Sequence, residues 1–272
     1  YSYCSNLIKF KKEKDTILFI KNYEQNFETD EVLKSLIGLA YLGQHQYNSA
    51  ENYLSQAIQL NKKNANSYAM LGDCYTRMGK SDKAIKNYKI SLEIEPKNKS
   101  ALNSLAALNY FNGDINEAER LYKYSISHNE YNHEAKYSLA QCQLAKSNYT
   151  EGWKNFEYRW FVNEFNSRKI RSNLPKFKLN TENKNLLVWS EQGVGDQVLF
   201  LRFLKDIRNY TENLIIKIDN RLHPIIKRLD PSIEFFSSEV NLKHEANCQI
   251  SLVDLATLFL KDNSYFSKNN DK

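Results

Sequence analysis

The chain of 272 residues is poor in glycine, proline, cysteine and methionine, with 8 Gly, 4 Pro, 4 Cys and 2 Met. So few glycines and prolines exclude long flexible linkers and predict a folded protein with room for two ordinary domains. No apolar run reaches the length of a membrane span, and no secretory signal peptide is visible. The first residue is Tyr1, and we expect the chain to be a fragment or a processed product.

The cysteines are far apart in the sequence and form no CxxC pair; they are Cys4, Cys74, Cys142 and Cys248. His128 and His133 are five residues apart and miss the i, i+4 spacing that places two ligands on one helical face. We therefore expect buried reduced thiols, no metal site and a cytoplasmic protein.

The charged residues are dispersed and give a net charge of only +6. Neither a continuous basic stripe nor a nucleic-acid-binding motif is present, which argues against specific nucleic-acid recognition. Aromatic residues, by contrast, reach 13% with 18 Tyr. Between packed helices such side chains usually fill the core.

A repeat of 34 residues runs through the first part of the chain. Two of its aligned columns hold small residues: Ala50, Ala84, Ala118 and Gly152, and Gly38, Gly72, Ala106 and Ala140. Two further columns hold large apolar residues: Leu54, Tyr88, Tyr122 and Phe156, and Ile37, Leu71, Leu105 and Leu139. Small residues are needed where two helices cross closely, and large ones where neighbouring hairpins pack.

This pattern resembles the tetratricopeptide repeat. The best copy, 65–98, carries Leu71-Gly72, Tyr75, Ala84, Tyr88 and Pro96. The resemblance implies an α solenoid over 1–166, with repeats at about 31–64, 65–98, 99–132 and 133–166. We expect 1–30 to be a degenerate repeat with a helix at Thr16–Phe27.

A solenoid of this kind has a concave groove lined by the first helix of each repeat. The predicted groove residues are of mixed polarity: Leu39, Asp73, Asn103, Tyr110, Tyr137 and Gln141. They lack the Lys and Asn pairs that clamp a terminal carboxylate in chaperone-binding domains of similar repeats. The sequence therefore predicts a protein or peptide partner of another kind, or a purely structural role.

Periodicity stops after the segment that contains Trp153 and Trp160, which are seven residues apart and share one helical face. Pro175 favours an extended conformation before it. We place a linker at 167–184 and an α/β domain at 185–272.

In that domain, apolar runs predict strands at Leu186–Trp189, Asn213–Ile218, Ile233–Phe236 and Cys248–Leu252. Helices are predicted between and after them, at Gln197–Leu204, Arg221–Leu229 and Asp254–Leu260. This alternation predicts a parallel sheet, with a ligand site beyond the carboxyl ends of its strands. The glycine turn between Ser190 and Gly195 lies at that edge, and Asp196 is predicted to cap the helix that follows it.

The turn is not a nucleotide P-loop, because no Lys-Ser/Thr follows the second glycine. Instead, Glu191-Gln192-Gly193-Val194-Gly195-Asp196 and Leu199–Phe203, together with the Gly152–Trp160 segment, resemble bacterial proteins in which tetratricopeptide repeats are fused to a heptosyltransferase-like glycosyltransferase domain. One departure is Phe177, where that family has tryptophan.

The resemblance implies a Rossmann-like acceptor lobe of a two-lobed (GT-B type) enzyme. It implies that Gly193 and Gly195 allow close approach of a ligand, that Glu191 and Gln192 form a polar wall, and that Asp196 is the general base. The alternative for Asp196 is a helix cap only.

The predicted function is therefore sugar transfer from a nucleotide-sugar to a protein or glycan acceptor, with the solenoid binding the acceptor or a partner. No cofactor is expected in this chain. The nucleotide-sugar donor would need a second lobe after Lys272, without which the chain is expected to be inactive. The alternative is a noncatalytic protein-interaction scaffold.

Overall fold

A computed structural model describes residues 13–23, 30–162, 165, 169–170, 172–179, 185–191, 193–235 and 246–268. The chain divides into two compact units, Tyr1–Cys142 and Gln143–Lys272. Each unit is described separately below. Cys74, Cys142 and Cys248 are buried thiols, as the sequence predicts, and Cys4 lies outside the described residues.

The first unit is a series of helical hairpins. Its helices are α1 Glu13–Tyr23, α2 Glu31–Gly43, α3 Tyr47–Leu60, α4 Ala65–Arg77, α5 Ser81–Ile94, α6 Lys99–Phe111, α7 Ile115–His128 and α8 His133–Ala145. The division between the units falls within α8. The first helices of successive repeats begin at Glu31, Ala65, Lys99 and His133, so the predicted period of 34 residues is confirmed.

The small-residue columns allow the two helices of a hairpin to approach closely. A Cβ atom built on Gly72 would lie 2.4 Å from the Tyr88 ring, and one on Gly38 would lie 2.6 Å from Leu54. The alanines of the other column, Ala50, Ala84 and Ala118, are fully buried. The sequence therefore places its small residues where a larger side chain would clash.

Each first helix begins with a polar cap at the same repeat position. Asp30 accepts hydrogen bonds from the Val32 and Leu33 amides, and Asn64, Asn98 and Asn132 accept one each from the amide three residues later. The turn inside each hairpin also has its own column, at His45, Gly79, Gly113 and Ser147. All of these have a positive φ, between 59° and 89°. The cap positions and the turn positions both recur every 34 residues. Neither set belongs to the four columns of small and large apolar residues from which the repeat was predicted.

The degenerate repeat differs in detail from its prediction. Helix α1 spans Glu13–Tyr23, whereas the sequence predicts Thr16–Phe27. Residues 24–29 lie outside the described residues.

The second unit combines helices with a four-stranded parallel sheet. Its elements are α9 Tyr149–Phe156, a 3-10 helix at Glu157–Phe161, β1 Asn185–Trp189, α10 Val194–Phe200, a 3-10 turn at Leu201–Phe203, α11 Leu204–Arg208, β2 Asn213–Lys217, a 3-10 turn at Asn220–Leu222, α12 His223–Leu229, β3 Glu234–Phe235, β4 Cys248–Ser251, α13 Leu255–Phe259 and α14 Ser264–Lys268. The strand order is β3-β2-β1-β4, with parallel pairing throughout.

Alternate residues of the central strand face two separate clusters. Leu186 and Val188 join the larger cluster, which also contains Phe200, Ile207 and Leu255. On the other face, Leu187 and Trp189 pack with Ile215 and Ala246, and with Trp160, Ile170 and Leu174. A sheet buried on both faces requires the continuous apolar run that β1 has. The predicted fold class, an α solenoid followed by a small parallel α/β sheet, is confirmed.

The division between the units lies earlier than the predicted linker at 167–184. Trp153 and Phe156 of α9 pack against the sheet unit, with Trp153 and Phe200 rings 5.9 Å apart. Part of the predicted linker also belongs to this unit, because the Phe177 amide donates to the Gln249 carbonyl at 2.8 Å and extends the sheet beyond β4. The aromatic face predicted from Trp153 and Trp160 therefore packs within the second unit, and α9 is part of that unit.

Candidate functional site

The glycine loop follows the central strand at the carboxyl edge of the sheet. From β1 the chain passes to β2 and β3 on one side, and β4 pairs on the other side of β1. Such a reversal of strand order opens a crevice in which α/β proteins commonly bind ligands. The Ser190 amide donates to the Lys217 carbonyl, and the Leu252 amide to the Trp189 carbonyl, so both neighbours of β1 support the start of the loop.

The helix after this loop begins three residues earlier than predicted, and this changes the position of Asp196. Gly193 is the N-cap and α10 starts at Val194, so Asp196 lies in the first turn. The prediction that Asp196 caps the helix is therefore wrong, because the cap position is occupied by a residue without a side chain. The Asp196 side chain is exposed at the positive end of the helix. Its catalytic role stays a prediction.

The two loop glycines are not required by packing. A Cβ on Gly195 would meet no atom within 4 Å, and one on Gly193 would meet only the Asp196 carboxylate, at 3.8 Å. Gly193 has φ −60° and ψ 164°, values that any residue adopts. The fold alone therefore gives no reason for glycine at these positions, whereas close approach of a ligand would give one. Gln192 lies outside the described residues.

Glu191 belongs to the glycine loop, and its side chain is fully buried. Arg159, itself fully buried, donates from Nε and Nη2 to the Glu191 carboxylate at 3.1 and 3.0 Å. Nη2 also donates to Asp254 at 2.7 Å. The structure thus places Glu191 in a buried ion cluster. Its predicted contact with a ligand stays untested.

The two carboxylates that share the Arg159 guanidinium have pKa values shifted in opposite directions. Burial raises the pKa of Glu191 to about 7, against the attraction of Arg159. Burial also acts to raise the pKa of Asp254, but Arg159 and Lys176 outweigh it and hold that pKa below its ordinary value. Lys176 bonds to both Asp254 and Glu157. Charged groups that are buried away from water need a partner of opposite charge. Through Arg159, the cluster joins Glu191 of the glycine loop to Asp254, which follows β4.

In the first unit, two of the predicted groove residues line one cavity of about 650 Å³. Leu39 contributes from α2 and Asp73 from α4, and α6 closes the cavity with Leu108 and Phe111. Tyr88 donates a hydrogen bond of 2.7 Å to Asp73. Burial raises the pKa of Asp73, although this bond opposes the rise. The lining is thus mixed, with apolar side chains such as Leu39, Leu42 and Leu108 beside the charged groups of Glu13, Asp73 and Arg77.

The remaining predicted groove residues do not line this cavity. Asn103 bonds to the cap residue Asn132 and accepts from Ser125 at 2.9 Å, so it connects adjacent hairpins. Tyr110, Tyr137 and Gln141 are partly exposed. Thr76, a first-helix position of the groove, bonds to Tyr88 beside Asp73, and the sequence predicted Tyr88 only as a large residue of a repeat column. Arg159 was not predicted either, because nothing in the sequence distinguishes this buried arginine from the exposed charged residues around it.

Comparison with known proteins identifies the repeats. Residues 41–108 match the family described as tetratricopeptide repeat. The chain is 39% identical over 72 residues to the BBSome complex member BBS4 of Mus musculus, and 35% identical over 72 residues to the Bos taurus protein of that name. Each match covers 26% of this chain and 14% of the relative, so the chain spans only a small part of their length.

Two solved structures share the helical fold. A thermophilic tetratricopeptide protein of Thermus thermophilus matches 57% of this chain and 86% of its own, with a TM-score of 0.53 and 12% identity. The APC/C hetero-tetramer Cut9-Hcn1 matches 57% of this chain and 30% of its own, with a TM-score of 0.53 and 15% identity. Among the described residues, no helix is long and apolar enough to cross a bilayer. The first unit is a solenoid of tetratricopeptide repeats.

Proposed function

We propose that the solenoid binds an extended peptide segment of a protein partner in the cavity on its first helices. The observation that supports this most is a cavity of about 650 Å³ that combines apolar lining residues, among them Leu39, Leu108 and Phe111, with the Asp73 carboxylate. Solenoids commonly use such concave surfaces for binding. The chemistry fits a segment that carries an apolar side chain next to a hydrogen-bond donor that reaches Asp73.

Phe111 gives the sharpest test of this proposal. It lines the cavity yet is 82% exposed, so its removal should leave folding intact. Peptides would be selected on the full chain from a displayed random library, and their dissociation constants measured. We expect Phe111→Ala to weaken binding by about tenfold or more, the usual effect of losing an aromatic anchor.

The matched control is Tyr131→Ala, because Tyr131 is 75% exposed on the same unit and does not line the cavity. It should bind the selected peptides like the parent chain. Equal affinity of the parent and Phe111→Ala chains would rule out this cavity. Tyr110→Ala and Tyr137→Ala test whether the predicted groove extends beyond it.

A second candidate function is sugar transfer, as the acceptor lobe of a glycosyltransferase. It is favoured by the glycine loop, whose Gly193 and Gly195 have no packing role and which lies at the reversal of strand order. Asp196 would take the proton of an acceptor hydroxyl while that oxygen attacks the anomeric carbon and the nucleoside diphosphate leaves. The nucleotide-sugar would be bound by a further lobe. A reducing, cytoplasmic location is part of this proposal and is supported by the buried thiols.

The test is a screen of nucleotide-sugars for transfer or hydrolysis by the full-length protein, followed by substitution of Asp196. Asp196→Asn should reduce turnover by about a hundredfold or more, the scale of a lost general base. Asp82→Asn is the matched control, since Asp82 is also exposed in the first turn of a helix. Unchanged turnover in Asp196→Asn would exclude the catalytic role of Asp196, and no turnover with any nucleotide-sugar would leave the scaffold alternative.

A further inference from the structure

The cavity of the first unit is lined by the same repeat positions of three successive first helices, α2, α4 and α6. One position supplies Leu39, Asp73 and Ala107, and the position four residues later supplies Gly43, Arg77 and Phe111. Helix α4 packs against both α2 and α6. Each row therefore has its charged residue in the middle, with an uncharged residue on either side.

Three side chains of the lining carry a fixed charge at neutral pH, and they are Glu13, Asp73 and Arg77. Glu13 belongs to α1 and passes over Gly43, where an added Cβ atom would lie 2.9 Å from the Glu13 Cγ atom. Within the part of the chain that the structure describes, none of the three charged side chains forms an ion pair. Arg77 can balance only one of the two carboxylates, so the lining has an excess of negative charge.

The Asp73 carboxylate is bound by hydroxyl groups. Tyr88 donates to it at 2.7 Å, and the Ser104 hydroxyl and, more weakly, the charge of Arg77 also favour its ionised form. Burial outweighs these influences and raises the pKa of Asp73, because the hydroxyl groups replace only part of the lost hydration. A cation placed beside Asp73 would compensate for the rest.

We propose that the bound peptide presents a lysine or arginine side chain to Asp73. This inference rests on the proposed peptide-binding function and names the class of residue that the cavity selects. Lysine and arginine have a long apolar stem and a charged end, which match Leu39 and Phe111 of the lining and the Asp73 carboxylate. An acidic side chain at the same place would be repelled by Asp73, so the cavity also excludes acidic peptides.

The experiment uses the peptides that are selected on the full chain from the displayed random library. We expect them to share a lysine or arginine. Exchange of that residue for norleucine, which keeps the apolar stem without the charge, should weaken binding by about tenfold or more. Asp73→Asn should weaken binding of the basic peptide by a similar factor, because the amide keeps the shape of the side chain but not its charge. The norleucine peptide should bind the parent and Asp73→Asn chains equally, since both changes remove the same contact.

The control is Asp82→Asn, which removes the same charge from an exposed residue that does not line the cavity and should bind the basic peptide like the parent chain. Circular dichroism shows whether Asp73→Asn is folded, and the norleucine comparison on the parent chain does not depend on that variant. Selected peptides that need Phe111 but carry no basic residue, or that bind Asp73→Asn as tightly as the parent chain, would overturn this inference and leave the peptide site standing. Peptides whose affinity does not depend on Phe111 would overturn the site itself, and this inference with it.

Discussion

Arg159 shows how a single residue organises the second unit. Its side chain is fully buried, bonds to Glu191 and Asp254, and lies 4.5 Å from the Trp160 ring centre. Removing one partner of a buried ion pair typically costs about 3–5 kcal/mol, since the other charge is left without compensation. The position of the glycine loop therefore depends on a residue about thirty positions earlier in the chain.

The raised pKa of Glu191 predicts a dependence of stability on pH. Its folded-state pKa of about 7 lies above its ordinary value of 4.5. The contribution of this group is therefore fully present below pH 4.5 and is lost as the pH rises through 7. At about 1.4 kcal/mol per pKa unit, the change is at most about 3.5 kcal/mol.

Glu191→Gln should remove this dependence, because the amide stays neutral. The measurement is the free energy of unfolding of the second unit between pH 4.5 and 8, from urea titrations followed by tryptophan fluorescence. All tryptophans of the chain lie in that unit. Other groups, including Asp254, titrate in both proteins, so the difference between the two curves is the relevant quantity. A constant difference would contradict the assigned pKa.

Among the structural elements, the turns of the four hairpins that begin at Glu31, Ala65, Lys99 and His133 share a left-handed residue. Gly79 and Gly113 fill the position without strain, whereas His45 and Ser147 adopt it as non-glycine residues. A Cβ on Gly79 would meet no atom within 4 Å. Substitution there tests backbone conformation alone.

Gly79→Ala should lower the free energy of unfolding of the solenoid by about 1 kcal/mol, the cost of a left-handed conformation for a residue with a side chain. The control is His45→Ala, which keeps the conformation that His45 already adopts. It should change stability by less than about 0.5 kcal/mol, since only an exposed contact with Tyr47 is lost. Thermal unfolding followed by circular dichroism measures both. Equal losses would contradict the conformational explanation.

The elements themselves were largely predictable from the sequence. The small-residue columns and the Leu71-Gly72 motif predicted the hairpins, and β1, β2 and β4 were found within one residue of their ends. The third strand, predicted at Ile233–Phe236, is found at Glu234–Phe235, and Phe236 lies outside the described residues. Helix α10 begins early because Gly193, and not Asp196, is its cap.

For the whole molecule, the sequence predicted two folded parts but not their extents. The tryptophan spacing indicated packing by α9, yet only the structure shows that Trp153 contacts Phe200. The candidate sites were predicted in part. Leu39 and Asp73 line one cavity, whereas a further cavity of the second unit, beside Trp189, combines residues from 157 to 254 that no local pattern connects.

The central claim is that the first helices of the solenoid hold a peptide. The most direct measurement is photo-cross-linking of a selected peptide that carries a benzophenone group, with the modified residues located by mass spectrometry. The account predicts adducts on the cavity residues of α2 and α6, among them Leu39, Leu108 and Phe111. Adducts confined to α3 and α7, the second helices that contribute no residue to the cavity, would contradict it.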